Sequence, residues 1–159
     1  CGYGFPAIIG AKIGYPDTPV VGFAGDGAFG ISMNEMTSCG REEWPAITMV
    51  IFRNYQWGAE KRNSILWYDN NFVGTELNPD FSFAKVAEGC GLKGVAVTTQ
   101  SELTSALKEA CDAQKGGVTT FIEVILNQEL GEPFRRDAMK APVEVAGIDP
   151  DDMKPQQPA

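Results

Sequence analysis

Two short polar sequences contain residue types suited to metal and phosphate chemistry. Gly25-Asp26-Gly27 follows one apolar run, Asn54 follows another, and 26 residues separate Gly27 from Asn54. Carboxylate and amide oxygens are hard ligands for Mg²⁺, which completes its octahedron with phosphates and water. Gly27 permits close backbone approach to a phosphate, and a following helix would offer its first N–H groups. Gly-Asp-Gly alone is most often only a turn from strand to helix, so the spacing to Asn54 makes the signal specific.

The segments around these residues predict an alternation of helices and strands. Apolar runs predict four strands, at residues 20–24, 46–52, 94–98 and 118–126. Helical spacing predicts four helices, at residues 6–14, 32–40, 81–90 and 101–115. This order predicts an α/β fold with a doubly wound parallel sheet and helices on both faces. Asp26 and Asn54 would then meet at the carboxyl edge of the sheet, where such folds bind ligands.

Several local features are predicted with these elements. Gly25-Asp26-Gly27 is expected to form a loop with unusual backbone angles. Ser32 and Glu35 have the spacing of a capping box, and Ser101 is expected to cap the last helix. Residues 54–80 lack regular periodicity and carry aromatic side chains, so this long connection favours a functional role. Its aromatic residues fit a substrate pocket and a subunit interface equally well.

Composition excludes several classes of function. The chain has 159 residues, a net charge of -8, no histidine and no polybasic segment, so nucleic-acid binding and histidine-dependent catalysis or zinc ligation are not expected. No apolar run is long enough to span a membrane. The four cysteines, at positions 1, 39, 90 and 111, form no C-x-x-C pair and predict buried free thiols in a reducing cytoplasm.

The chain divides by composition near residue 127. Residues 1–127 are expected to form one α/β domain, and residues 128–159 a tail that packs on a partner surface and then becomes disordered. The tail holds five of the ten prolines and no convincing element. Residue 1 is Cys and no signal peptide follows, so we expect a fragment of a longer chain.

These motifs together resemble a known group of enzymes. GDGAFG, with 26 residues between its Gly27 and Asn54, resembles the thiamine diphosphate motif of the acetohydroxyacid synthase and pyruvate decarboxylase superfamily, as does the stretch CGYGFPAIIGAKIGYPDTPVVGFA before it. RNYQWGAEK and GEPFRRDA resemble one family of that superfamily, the sulfoacetaldehyde acetyltransferases. The resemblance extends to about Val143 and covers only the C-terminal, diphosphate-binding domain of those enzymes.

The resemblance implies a cofactor site. Asp26 and Asn54 would bind Mg²⁺ through their side chains, and Gln56 would bind it through its backbone carbonyl. The residues expected to contact thiamine diphosphate are Cys1, Gly25, Asp26, Gly27, Ala28, Phe29, Asn54, Gln56, Trp57 and Gly58. Cys1 occupies the position under the bent cofactor where relatives carry a larger apolar residue, and Arg53 replaces an Asn that precedes the metal-binding Asn in relatives.

The resemblance also implies an activity, the conversion of sulfoacetaldehyde and phosphate to acetyl phosphate and sulfite in organosulfonate and taurine breakdown. The candidates for binding sulfonate or phosphate are Arg53, Lys61, Arg62, Arg135 and Arg136. For the last four, a solvated or tail-anchoring role is an open alternative. The activating glutamate would lie outside this chain, on a partner subunit, so the enzyme would be a homodimer or homotetramer with its site at the subunit interface. The fragment alone is expected to be inactive.

Two other functions remain open. The first is another thiamine diphosphate enzyme, such as an acetohydroxyacid synthase or a 2-oxoacid decarboxylase. The second is a non-catalytic nucleotide-binding module, which Asp26 and Asn54 at their spacing disfavour, although GDGAFG itself fits the pattern G-x-G-x-x-G. Mg²⁺-dependent cofactor binding that is lost in Asp26→Ala, but kept in a control such as Glu123→Ala, would exclude this module.

Overall fold

The computed structural model describes residues 1–130, which are built on one parallel sheet. Its strands are β1 Val21–Gly25, β2 Thr48–Arg53, β3 Lys93–Val97 and β4 Thr120–Ile125. They lie in the order β1-β2-β4-β3, and each neighbouring pair is parallel. All four predicted strands are therefore confirmed, with ends that differ by one or two residues.

Helices cover both faces of this sheet, which confirms the predicted fold class. They are α1 Gly4–Gly14, α2 Asp26–Gly30, α3 Met36–Cys39, α4 Gly58–Trp67, α5 Phe83–Gly89 and α6 Gln100–Lys115, with a 3₁₀ turn at Met33–Glu35. One core cluster joins β2 and β4 to α1, α2, α3 and α5, and it includes Phe5, Phe29 and Phe121. A second joins the opposite face to α6. Met49 and Ile51 belong to the first cluster and Val50 to the second, so burial on both faces explains why the middle of β2 is apolar.

Two predicted helix caps are wrong. Ser32 caps no helix through its side chain, and the Glu35 carboxylate accepts hydrogen bonds from the Asn34 and Ser38 side chains instead. The last helix is capped by Thr99 rather than Ser101. Thr99 Oγ1 accepts a hydrogen bond from the Glu102 N–H, and the Glu102 carboxylate accepts one from the Thr99 N–H. The cap of α6 is a capping box, and it lies two residues before the predicted Ser101.

The connection after β2 is more regular than its sequence indicated, because it contains α4. The described residues separate into two compact units, one made of Cys1–Trp57 with Glu76–Gln128, the other containing Gly58–Thr75. Within the described part of the second unit, the Arg62 guanidinium donates to the Leu130 carbonyl at 3.1 Å. The predicted boundary near residue 127 did not anticipate the separate segment after Trp57. The structure of the predicted tail lies outside the described residues from position 131 onward.

The cysteines are all free, but they are not all buried as predicted. Cys39 is buried, and burial, with the charge of Glu35 and the nearby Cys90, raises the pKa of its thiol to about 12. Cys90 and Cys111 are half-buried, whereas Cys1 is exposed. In the first 130 residues, no helix combines the length and apolar character needed to cross a bilayer.

Gly94 provides a test of the packing between α5 and β3. A Cβ atom at Gly94 would overlap the backbone carbonyl of Ala84, which cannot move without displacing α5. We expect Gly94→Ala to lower the free energy of unfolding by about 3 kcal/mol, the upper part of the usual range for overpacking. Gly89→Ala is the matched control, since a Cβ there meets open space. The effect of each substitution is measured by hydrogen exchange of β3 amides in the full-length protein. Equal exchange rates in the two variants would contradict the close packing of Gly94 on Ala84.

Candidate metal and cofactor site

The sheet brings the two predicted metal-binding side chains to one edge. β1 and β2 are adjacent parallel strands, and the register pairs Gly25 with Phe52. Asp26 follows the end of β1, and Asn54 follows Arg53 at the end of β2. The expectation that both residues lie at the carboxyl edge of neighbouring strands is therefore met.

Asp26 is a buried carboxylate held by backbone groups. The residue is only 4% exposed to solvent. Oδ1 accepts from the Gly27 N–H at 2.9 Å, and Oδ2 accepts from the Tyr55 N–H at 2.7 Å. No ion pair to Asp26 is found among residues 1–130. A carboxylate buried without a cation is costly, and each oxygen retains a free lone pair, so the site fits a divalent cation.

The chemistry of the donor set fits magnesium rather than a transition metal. Within the described residues, no three Asp, Glu or Cys side chains cluster as metal ligands. The available donors at this edge are one carboxylate, one amide side chain and backbone carbonyls. Mg²⁺ suits such a sparse oxygen set because it keeps waters and substrate phosphates as its other ligands.

Tyr55 shapes the turn between the two other predicted ligands, Asn54 and Gln56. Its φ of 61° lies in the left-handed region, which costs a non-glycine residue about 1–3 kcal/mol. The conformation is held by its N–H bond to Asp26 and by a bond from the Leu77 N–H to its carbonyl at 2.9 Å. Two hydrogen bonds, one through the Tyr55 N–H and one through its carbonyl, therefore hold the strained conformation.

Gln56 is almost fully buried, with 2% exposure. Its side-chain Nε2 donates to the Gln128 carbonyl at 3.0 Å, and its backbone forms an isolated bridge with Glu76. Among the described residues, its side-chain Oε1 has no hydrogen-bond partner. The buried side chain thus fastens the turn, and the predicted role of the Gln56 backbone carbonyl as a metal ligand stays a prediction.

The expectation of unusual backbone angles at Gly25-Asp26-Gly27 is wrong. Helix α2 begins at Asp26 itself, and Gly25 has an ordinary φ of -72°. Gly27 is needed for a different reason, because an added Cβ would lie 2.9 Å from Cε3 of Trp57. A Cβ at Gly25 would meet open space. The Trp57 ring therefore leaves no room for a side chain at Gly27, whereas Gly25 faces open space.

Four other residues are predicted to contact the cofactor, namely Cys1, Ala28, Phe29 and Gly58. The Ala28 carbonyl accepts from the Gly2 N–H at 3.0 Å, which brings the exposed Cys1 close to α2. The Phe29 ring is fully buried against Phe5, so only its backbone can face a ligand. Gly58 begins α4 in the second unit.

Arg53 has an arrangement that the sequence analysis missed. Its guanidinium forms a buried ion pair with Glu123 of β4, and the two side chains are 4% and 1% exposed. It also lies 4.5 Å from the centroid of the Tyr55 ring. This burial and pairing argue against the expectation that Arg53 binds sulfonate or phosphate. The sequence contains one indication of this ion pair, a single Glu within the β4 sequence TFIEVI. The neighbouring strand in the sheet, β2, ends in Arg.

Glu123 is not the inert control residue that the sequence analysis assumed. Its Oε2 accepts hydrogen bonds from the Ser82 hydroxyl and, at 3.0 Å, from the Ala84 N–H. Burial raises the pKa of this carboxyl, but the bonds from Ser82, Ala84 and Arg53 outweigh it, so the pKa lies below its ordinary value. A substitution here would disturb β2, β4 and the start of α5 together.

The other cationic candidates lie in the second unit or outside the described residues. In the second unit, Lys61 Nζ lies 5.5 Å from the centroid of the Phe72 ring. Arg135 and Arg136 lie outside the described residues. Their assignment to sulfonate or phosphate stays a prediction.

A cavity of about 340 Å³ opens beside Asp26. Gly27, Trp57 and Arg53 line it, together with the apolar side chains of Ile31 and Phe81 among others. Its size falls within the usual range of about 300–1,000 Å³ for small-molecule sites. An apolar cavity with one buried carboxylate at its wall suits a cofactor that has both an aromatic part and a metal-bound diphosphate.

Known proteins resemble this chain closely. It is 78% identical over 157 residues to a protein named probable sulfoacetaldehyde acetyltransferase from Rhizobium meliloti strain 1021, covering 99% of this chain and 27% of that protein. It is 69% identical over 157 residues to the sulfoacetaldehyde acetyltransferase of Roseovarius nubinhibens, covering 99% and 26%. The chain thus spans about a quarter of the length of these relatives.

A solved structure shares the fold. The thiamine diphosphate-dependent 4-hydroxybenzoylformate decarboxylase of Rhodococcus jostii RHA1 matches with a TM-score of 0.72 and 32% identity, over 82% of this chain and 24% of that chain. Residues 1–124 match the family model of the thiamine pyrophosphate enzyme, C-terminal TPP binding domain. The chain therefore belongs to the thiamine pyrophosphate enzymes and carries their C-terminal cofactor-binding domain.

Proposed function

We propose that this chain is the C-terminal part of a thiamine diphosphate- and Mg²⁺-dependent sulfoacetaldehyde acetyltransferase. The observation that carries the cofactor site is the buried Asp26 carboxylate, which forms no ion pair with any residue from 1 to 130 and lies at the sheet edge that also bears Asn54. The substrate is supported by the names of the two relatives, whose similarity extends over 99% of the chain. The enzyme would act in organosulfonate breakdown, including that of taurine.

The proposed reaction balances without an external oxidant or reductant. Sulfoacetaldehyde and hydrogen phosphate become acetyl phosphate and hydrogen sulfite. The carbon–sulfur bond breaks, the aldehyde carbon is oxidised to the acyl level, and the former sulfonate carbon is reduced to a methyl group. Bound thiamine diphosphate supplies the carbanion chemistry at the aldehyde carbon.

The residues of this chain would hold the cofactor in place. Asp26 and Asn54 would bind Mg²⁺ through side chains, and Gln56 through its backbone carbonyl. The open surface at Gly25 and the backbone of Gly27 and Ala28 would allow the diphosphate to approach closely. Trp57, which packs on Gly27, would exclude water from one side of the site.

Other parts of the proposal concern the assembled enzyme. We place the activating glutamate on a partner subunit and the site at the interface of a homodimer or homotetramer. Lys61, Arg135 and Arg136 are the proposed cations for sulfonate and phosphate. A cytoplasmic location is part of this proposal, supported by four free cysteines.

The experiment that tests this function follows sulfite release by the full-length protein. The proposal expects sulfite only when thiamine diphosphate, Mg²⁺ and sulfoacetaldehyde are present, and acetyl phosphate only when phosphate is added. Omission of each component in turn is the control. Turnover of pyruvate without sulfite release from sulfoacetaldehyde would instead make the protein an acetohydroxyacid synthase or a 2-oxoacid decarboxylase.

A further inference from the structure

We propose that the Arg53–Glu123 ion pair is a positioning device that sets the turn at residues 54–56 for metal binding. This inference rests on the proposed metal site and adds two residues to it. Glu123 is fully buried, and Arg53 lies at the wall of the cavity beside Asp26. Both act through the backbone turn that begins directly after Arg53.

Arg53 links three segments that surround the turn. Its Nη1 pairs with Glu123 on the neighbouring strand β4. Its Nη2 lies 3.4 Å from the carbonyl oxygens of Asn78 and Pro79. Its flat guanidinium face lies 4.5 Å from the ring centroid of Tyr55 and 4.9 Å from that of Phe81. A planar cation can stack and donate in its own plane at the same time, which Lys cannot do.

Glu123 anchors this arrangement to the core. Both of its oxygens accept hydrogen bonds, one from Arg53 and the other from the Ser82 hydroxyl and the Ala84 N–H. The position of the guanidinium is therefore set by β4 and by the first turn of α5. Since Arg53 is the last residue of β2, the same contacts set where the chain leaves the strand.

The stacking of Arg53 on Tyr55 matters because Tyr55 is the strained residue of the turn. Its left-handed conformation turns the chain between Asn54 and Gln56 and directs its N–H to Asp26. A pair of apolar residues would stabilise the core at least as well as a buried ion pair, so stability is a weak reason for having one here. Correct placement of the turn is the function that the contacts support.

The test removes both charges together in the full-length protein. Arg53→Met/Glu123→Gln leaves no unpaired charge, and the Gln carbonyl can still accept from the Ala84 N–H. The matched control is Arg41→Met/Glu43→Gln, which makes the same changes at an ion pair whose side chains are 58% and 62% exposed. Mg²⁺ is titrated calorimetrically into metal-free protein that contains excess thiamine diphosphate, and thermal unfolding is measured without ligands.

We expect the core variant to need about tenfold more Mg²⁺ for half-saturation, the scale typical of residues that orient metal ligands. Its thermal unfolding should stay close to that of the control variant. An unchanged half-saturation in the core variant would overturn the proposal, because the turn would then form without the pair. Should this variant fail to fold, Arg53→Lys decides the matter. It keeps the charge but loses the planar stack, and unchanged Mg²⁺ binding would equally overturn the proposal.

The titration uses no sulfoacetaldehyde, so it does not depend on the substrate. Normal Mg²⁺ binding with no sulfite release would reject the proposed reaction and leave this inference intact. Absence of Mg²⁺ binding in the unaltered protein would reject both the metal site and this inference.

Discussion

Replacing Asp26 with Asn is expected to lower sulfite release by the full-length protein about a hundredfold or more, since even residues behind a metal ligand typically contribute about 10–100-fold. The substitution removes the negative charge that would face Mg²⁺. It also places an amide donor against the N–H groups of Gly27 or Tyr55, because both carboxylate oxygens now accept from them. The measurement is the rate of sulfite release as a function of Mg²⁺ concentration.

A loss of metal affinity should be visible as a shift of the Mg²⁺ dependence, with partial recovery at high Mg²⁺. Asp17→Asn is the matched control, because it makes the same change at an exposed aspartate outside the site. Full activity of the Asp26 variant at ordinary Mg²⁺ would remove Asp26 from the metal site. Equal losses in both variants would show that the effect is not specific to the sheet edge.

The second large effect is expected on stability, from Glu123→Leu. This single change leaves the guanidinium of Arg53 buried without its counter-charge and the Ala84 N–H without its acceptor. Breaking one side of a buried pair costs about 3–5 kcal/mol, so β2 and β4 amides should exchange with solvent far faster than in the unaltered protein. Hydrogen exchange of peptides from these strands in the full-length protein is the measurement.

The double variant Arg53→Met/Glu123→Gln should recover most of this loss, because it leaves no buried charge. If Glu123→Leu exchanges like the unaltered protein, the ion pair is not buried as described. A pH series adds a second check. Because the folded pKa of Glu123 is lowered, its stabilisation is complete above the ordinary value of 4.5 and is lost as pH falls through the lower folded value. The stability of Glu123→Leu should therefore not show this loss at low pH.

The sheet and the position of the site could be predicted because local sequence patterns determine them. The middle of β2 is apolar because Met49, Val50 and Ile51 are buried. Asp26 directly follows β1, and Asn54 directly follows β2. Parallel pairing of β1 and β2 then places both residues at one edge without further information. The residue types needed for Mg²⁺ binding are visible in the sequence as they stand.

The features that were missed depend on contacts between distant residues. Arg53 and Glu123 are 70 positions apart, and they meet because β2 and β4 are neighbours in the sheet although β3 lies between them in sequence. Without that strand order, Arg53 is indistinguishable from an anion-binding cation. The sequence indicates that residue 27 must be a glycine, but the reason is the close Trp57 ring rather than an unusual backbone angle.

The location of the metal ion decides whether Asp26 and Asn54 bind it. Crystals of the full-length protein grown with thiamine diphosphate and Mn²⁺ in place of Mg²⁺ would show the metal by its anomalous scattering. The account predicts one peak at about 2.0–2.2 Å from an oxygen of Asp26, from the Asn54 side-chain oxygen and from the Gln56 carbonyl, with diphosphate oxygens completing the octahedron. A bound cofactor whose metal lies away from Asp26 and Asn54 would contradict it.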